Sequence, residues 1–254
     1  MLARNVLTGF ALGLLVLVST ELSAENASDK TKATSTDSNK TSITTIISDS
    51  TNKFVYRPPK RGAPAVRIGG GTRGIGNQTL ELVVFAPDHT GLTTKEQPTL
   101  YWYASEPVLS KLELTMINDK NIDPELEQIV SATSSAGIQS IDLSTTKVRL
   151  KPGIEYRWFV SVMADKSQRS NDIVASGTIQ RFIPDDELKM EIANADESAL
   201  TGVYAKQGIW YDAIDSLTQM VRKFPENADL HEQQVTILEQ VGLQSAADYV
   251  RKQK

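Results

Sequence analysis

Residues 69–76, Gly-Gly-Gly-Thr-Arg-Gly-Ile-Gly, have the types and spacing of a loop that cradles a pyrophosphate. Such a loop works because glycines let backbone N–H groups close on the anion at a helix N-terminus, so it must follow a buried strand and open a helix. Here a basic, Pro-rich stretch precedes it and a strand-like run follows it. The other chemistry-bearing residues are sparse. There is no cysteine, and the two histidines are His89, in a Pro-Asp-His-Thr-Gly turn, and His231, in a polar helical turn. The first reads as a solvated loop imidazole, and no His, Cys or carboxylate cluster has metal-ligand spacing. Asp185-Asp186-Glu187 reads as the start of a helix rather than a catalytic pair. Two distant carboxylates of the kind used in glycoside hydrolysis meet only in a fold and leave no local trace. The expectation is a protein without catalytic residues, metal or cofactor, and not an enzyme.

Binding chemistry is better represented. Lys53, Arg57, Lys60, Arg61, Arg67 and Arg73 follow one another with no acid before Glu81, and Phe54 and Tyr56 lead into the strip. Guanidinium groups suit an acidic glycan, a lipid head group or an acidic protein surface. The alternative is an extended arm packed along the following domain with its arginines solvated. Tyr101 and Tyr103 alternate with Trp102, which places them on the opposite side of one strand, as an exposed aromatic face suited to sugar rings. The candidate binding residues are therefore Tyr56, Arg57, Arg61, Arg67, Arg73, Tyr101 and Tyr103.

The elements that must position these residues fall into five segments. Residues 1–24 have the form of a signal peptide: Arg4, then an apolar run from Val6 to Val18, then Leu22-Ser23-Ala24. The run is short for a bilayer span, though an uncleaved anchor is the competing reading, and no second apolar run exists. Without cysteine, lipid anchoring of the lipoprotein type is excluded and the core must stabilise the fold unaided. Residues 25–53 are dominated by Ser, Thr, Asp, Asn and Lys and read as a disordered tether. Residues 54–78 form the basic Pro/Gly-rich arm. A net charge of −4 argues against a nucleic-acid partner. The expected location is periplasmic or secreted, with no transmembrane segment in the mature chain.

From 79 to 184 the pattern has period two. Leu80, Leu82 and Val84 alternate with Glu81, Val83 and Phe85, and the same holds for the runs at Leu112 to Ile117 and Tyr156 to Met163. About seven such strands separated by short turns point to an antiparallel β-sandwich. Leu150-Lys151-Pro152-Gly153-Ile154-Glu155-Tyr156 resembles the tyrosine corner of immunoglobulin/fibronectin-like sandwiches, in which the Tyr hydroxyl bonds back to the backbone. That resemblance implies that Trp102 and Trp158 are core residues.

Residues 185–254 turn helical, with Asp185 or Asp186 as N-cap. Leu200, Tyr204, Gly208, Trp210, Ala213, Leu217 and Pro225 resemble a tetratricopeptide repeat, with Thr201 where that motif has a glycine and Met220 where it prefers alanine. Gly242 and Ala247 follow Gly208 and Ala213 by 34 residues, the repeat's own period. A second, truncated repeat is expected. One and a half repeats form no deep groove, so the helices pack on the sandwich or add to a partner's array.

Taken together, the blocks Tyr56-Arg-Pro-Pro, Arg61-Gly-Ala-Pro, Gly69-Gly-Gly-Thr-Arg-Gly, Pro98-Thr-Leu-Tyr-Trp-Tyr and Gly208-Ile-Trp-Tyr-Asp-Ala resemble the bacterial domain-of-unknown-function family 928, between about Phe54 and Met220. The resemblance implies an exported protein of cyanobacteria or other Gram-negative bacteria with no assigned activity, from a family whose members are encoded near large secreted adhesins and outer-membrane secretion components. Residues 69–76 also resemble the glycine motif of short-chain dehydrogenases, but that family's Tyr-x-x-x-Lys pair should lie downstream. The spacing occurs only at Tyr56 and Lys60, upstream and with two prolines between. The favoured reading is a non-catalytic envelope protein acting through an envelope or secreted protein partner; the alternative is an envelope-glycan or carbohydrate-binding module with an acidic glycan as ligand.

Overall fold

The computed structural model describes residues 55–59, 67, 73–75, 78–118, 120–121, 123–130, 135–163 and 169–253. The signal-peptide and tether readings, and Arg61, lie outside the described residues. Among the described residues, ten strands precede five α-helices. β1 (Arg73–Ile75) and β2 (Gln78–Leu80) form a small hairpin. β3 (Leu82–Val84), β5 (Thr99–Ala104) and β8 (Gly137–Asp142) make a three-stranded sheet in the order β3-β5-β8. β4 (Gly91–Thr93), β6 (Leu112–Asn118), β7 (Leu126–Val130), β9 (Glu155–Val162) and β10 (Ile173–Arg181) make a five-stranded sheet in the order β4-β10-β9-β6-β7. The helices are α1 (Asp186–Asn194), α2 (Glu197–Lys206), α3 (Trp210–Lys223), α4 (Ala228–Gln240) and α5 (Gln244–Arg251). The chain is thus a β + α protein, with strands giving way to helices after Pro184. Both parts belong to one compact unit, residues 49–254.

The two-residue period of β6 and β9 is realised as burial. Leu112, Leu114 and Met116, with Tyr156, Trp158, Val160 and Val162, fill the core, while Arg157 is exposed and Phe159, Thr115 and Ile117 are half-buried. Trp102 and Trp158 are core residues, as expected. β3 packs on β10 where Gly177 leaves room: a Cβ there would stand 2.3 Å from the Ala86 methyl. One pairing departs from the antiparallel expectation. β4 runs parallel to β10, Gly91 opposite Ile179, because Pro87 to Thr90 carries the chain from the edge of the small sheet to the edge of the large one.

The corner before β9 forms the expected bond. Gly153 takes φ +74°, and the Lys151 N–H donates to the Tyr156 hydroxyl at 3.2 Å. Tyr156→Phe leaves that N–H without its acceptor, so unfolding in urea should show a loss of about 1 kcal/mol at unchanged m-value.

The helices are locally specified. The Asp185 side chain accepts from the Leu188 N–H at 2.9 Å and caps α1, and Asp196 does the same for α2 through Ala199. Gly208 and Gly242 adopt φ of +74° and +71° after α2 and α4, where an L side chain would be strained. Ala213 and Ala247 are fully buried and let α3 and α5 approach their neighbours. The polar Thr201 is also buried, and its hydroxyl meets Ser216 at 2.9 Å.

What organises the whole is α3. A surface helix buries one stripe, but α3 buries Trp210, Tyr211, Asp212, Ala213, Ile214, Asp215, Leu217, Thr218 and Met220, nearly its full circumference. One side packs on α2 and α4, the other on β4 and β5. The outer face of the small sheet is therefore roofed by helix, with α5 covering β8.

Candidate functional site

The sequence-derived candidates separate into two groups. Tyr56 and Arg57 lie in an extended stretch that docks on the helical turns. The Arg57 N–H donates to Ala205 O at 3.0 Å, and the Tyr56 N–H to Gln240 Oε1 at 2.6 Å. The Tyr56 ring stands edge-on to Trp210, with centroids 5.1 Å apart, and stacks on His89 at 5.9 Å. Its hydroxyl is 2.9 Å from His89 Nε2, and His89 Nδ1 is 3.3 Å from Asp88 Oδ1. His89 is therefore not the free loop imidazole expected; its ring is held between Asp88 and the docked tyrosine.

An Asp-His-Tyr chain has the layout of a proton relay. Burial, then the charge of Asp88, push the tyrosine hydroxyl far above the ordinary tyrosine range. The chain works as a latch for the arm. Arg67 makes a second latch: Nη1 donates to Val241 O at 2.8 Å and Ala86 O at 3.1 Å, and Nη2 to Gly242 O at 3.0 Å. It satisfies carbonyls at the C-terminal end of α4, where a cation is favoured. Arg67→Ala should lower stability by about 1–2 kcal/mol in urea, with Arg67→Lys intermediate because it keeps the charge but loses the fork. Arg73 contributes backbone to β1 opposite Leu80, and Arg57 is exposed. That strand also stands where a pyrophosphate loop would need a helix.

Tyr101 and Tyr103 form no exposed aromatic face, contrary to the expectation from alternation. They are 1% and 9% exposed because the helical roof covers the side of β5 opposite Trp102. The Tyr101 hydroxyl donates to Asp215 Oδ1 at 2.7 Å, and the Arg222 guanidinium lies 5.4 Å from its ring centroid. The Tyr103 ring packs against Tyr249, with centroids 5.3 Å apart. The carbohydrate reading loses its aromatic platform with this burial.

Two functional features left little trace in the sequence. The first is a polar seam between the sheets and α3. Asp212, 1% exposed, accepts from Thr93 Oγ1 at 2.5 Å, Thr94 Oγ1 at 2.5 Å and the Thr94 N–H at 3.0 Å. Asp215 accepts from Lys95 Nζ at 2.6 Å as well as from Tyr101. Burial pulls Lys95 down, but the charge and hydrogen bond of Asp215 outweigh it and its pKa ends above the usual value. Tyr211 continues the seam, accepting from Trp158 Nε1 at 2.9 Å and donating to Thr178 O at 2.9 Å. Acids three residues apart within an otherwise apolar helical run were the available signal.

The second is a cavity of about 340 Å³ bounded by β8, α3, α4 and α5. Ile138, Val221, Tyr249 and Val250 supply apolar wall; Thr218, His231 and Gln234 supply polar groups, and Arg222 and Glu226 charge. His231 is 7% exposed rather than solvated on a polar turn. Its Nε2 lies 2.7 Å from Pro225 O, so Nε2 carries the proton, and the buried Nδ1 is an acceptor with no partner among the described residues. Apolar wall beside polar and charged groups suits an amphipathic guest. Among the described residues no three His, Cys, Asp or Glu side chains gather as metal ligands, and no helix is long and apolar enough to cross a membrane.

No curated protein matches the chain significantly. Among solved structures it overlaps a multi-domain immunophilin from Arabidopsis thaliana at 8% identity, covering 76% of this chain and 99% of the other, but the TM-score of 0.16 carries no argument. The model of the Domain of Unknown Function family DUF928 matches residues 68–250, which span β1 to α5. The chain belongs to the DUF928 family.

Proposed function

We propose that the protein is an exported, non-catalytic interaction protein of the cell envelope. In this reading an immunoglobulin/fibronectin-like sandwich carries a tetratricopeptide-like pair of hairpins, and a segment of an envelope or secreted protein, such as a component of a secretion or adhesin system, binds at the cavity between α3, α4 and α5. The observation that carries the reading is that cavity: Ile138, Val221, Tyr249 and Val250 give it apolar wall, Thr218, Gln234, Arg222 and Glu226 give it polar and charged groups, and the helices that bound it are packed against the sheets. The leader-like N-terminus supports the exported location.

Removing residues 186–254 is an unsuitable test, because it would strip the roof from Tyr101, Tyr103 and the small sheet. Val221→Glu is suitable: it places a carboxylate in the wall of the cavity while leaving α3's contacts with the sheet in place. Affinity capture from envelope extracts of the producing cell should retain a partner on wild type and lose it on Val221→Glu at matched thermal stability. Identical profiles from the two proteins would end the proposal.

A further inference from the structure

β7 closes one side of the five-stranded sheet. Among the described residues it pairs only with β6, leaving its other edge open. Open edges are ordinarily blunted by lysine, proline, a bulge or a covering element. The sequence Leu126-Glu127-Gln128-Ile129-Val130 has neither lysine nor proline. Its two faces differ. Leu126, Gln128 and Val130 are half-buried, with Leu126 and Val130 packed against the core. Glu127 and Ile129 face outward, and Ile129 is 49% exposed.

We propose that this edge is a self-recognition surface, at which β7 pairs antiparallel with β7 of a second copy about a two-fold axis through Gln128. The inference is independent of the helical cavity and rests on self-complementarity. In that register Leu126 lies opposite Val130 of the second copy, which extends the half-buried apolar face across the junction. Gln128 meets its own equivalent, two amides that can exchange hydrogen bonds. Glu127 lies opposite Ile129 of the second copy, so the exposed Ile129 is covered and no like charges stand directly opposite. Either two-residue slip leaves three of the five β7 residues paired instead of five, and the slip toward the N-terminus also sets Glu127 against Glu127. An isologous strand pair of this kind closes at two copies and leaves no growing end. Five residues bury less than a standard interface, so the dimer is weak and forms at high local concentration.

The register gives a charge test. Within its own sheet Ile129 lies opposite Glu113, which Arg169 engages at 2.8 Å, so Ile129→Glu carries a cost in the monomer that the melting curves below measure. Sedimentation velocity of the full chain over a wide range of protein concentration should show a reversible monomer–dimer equilibrium. Ile129→Lys creates two symmetric pairs with Glu127 and should tighten association about fivefold. Ile129→Glu sets carboxylates opposite one another twice and should abolish it, and adding Glu127→Lys to Ile129→Glu should restore it. Circular dichroism melting of each variant accompanies the series, and the restored double variant separates lost pairing from lost folding. A monomer at every concentration, or a dimer indifferent to Ile129→Glu, would overturn the proposal.

Discussion

Trp210→Ala is expected to cost about 3–5 kcal/mol, the range for emptying a fully buried tryptophan site. The indole is wholly buried where three parts of the molecule meet. Its Nε1 donates to Phe85 O at 2.8 Å, joining α3 to the end of β3, and its ring receives the edge-on Tyr56 of the arm. Alanine leaves a cavity, strands a buried carbonyl and removes the surface on which the arm rests. For a unit of this size the loss corresponds to a fall in Tm of about 6–20 °C, a large part of a typical total stability of about 5–15 kcal/mol. Trp210→Phe, which keeps a ring but no donor, should fall between the two. Urea unfolding followed by circular dichroism checks both; a loss below about 1 kcal/mol for alanine would be inconsistent with this junction.

Asp212→Ala should cost about 2–4 kcal/mol, because it strands the Thr94 N–H and two threonine hydroxyls in a dry seam. Asp212→Asn should cost much less, since threonine hydroxyls can rotate to accept from an amide. The pair also has a pH signature. Burial raises the Asp212 carboxyl above its usual value of 3.8, against the opposing hydrogen bonds of Thr93 and Thr94. A carboxyl raised in the folded state contributes stability that is fully present below its unfolded pKa and is lost as pH rises through its folded pKa. Asparagine has no such dependence. The asparagine variant should therefore gain on wild type as pH rises from about 4 towards 7, read as the difference in urea midpoints at each pH. A difference that widens against asparagine over that interval would contradict the raised carboxyl.

The sequence was informative where a local rule suffices. Alternation located β6 and β9 and their buried faces; Pro152-Gly153 with Tyr156 located a corner whose hydroxyl does bond back; and glycines 34 residues apart located the two helical turns. It misled where burial depends on what arrives from elsewhere in the chain. Alternation places Tyr101 and Tyr103 on the face opposite Trp102, but it does not say that α3 and α5 roof that face, so an aromatic platform was expected where a second core layer lies. The local sequence does not show where Asp212 and Asp215 are bound, since their partners Thr93, Thr94, Lys95 and Tyr101 are more than a hundred residues earlier. The parallel pairing of β4 with β10 had no signature, because a three-residue strand shows no period. Arg67 was a candidate for binding an acidic partner, with a solvated arginine as the alternative, and only the fold brings it to the carbonyls of Val241 and Gly242.

These long-range partners underlie the functional reading. A cavity on a tethered hairpin module would change shape with the module, whereas one held by Trp210, Asp212 and Asp215 against two sheets is formed before any partner arrives, and binding then costs less ordering entropy. The most direct test of that claim is differential scanning calorimetry of the full chain. The account predicts a single transition whose calorimetric and van't Hoff enthalpies agree, with strands and helices melting together. Two separable transitions, one for the helices and one for the sheets, would contradict it.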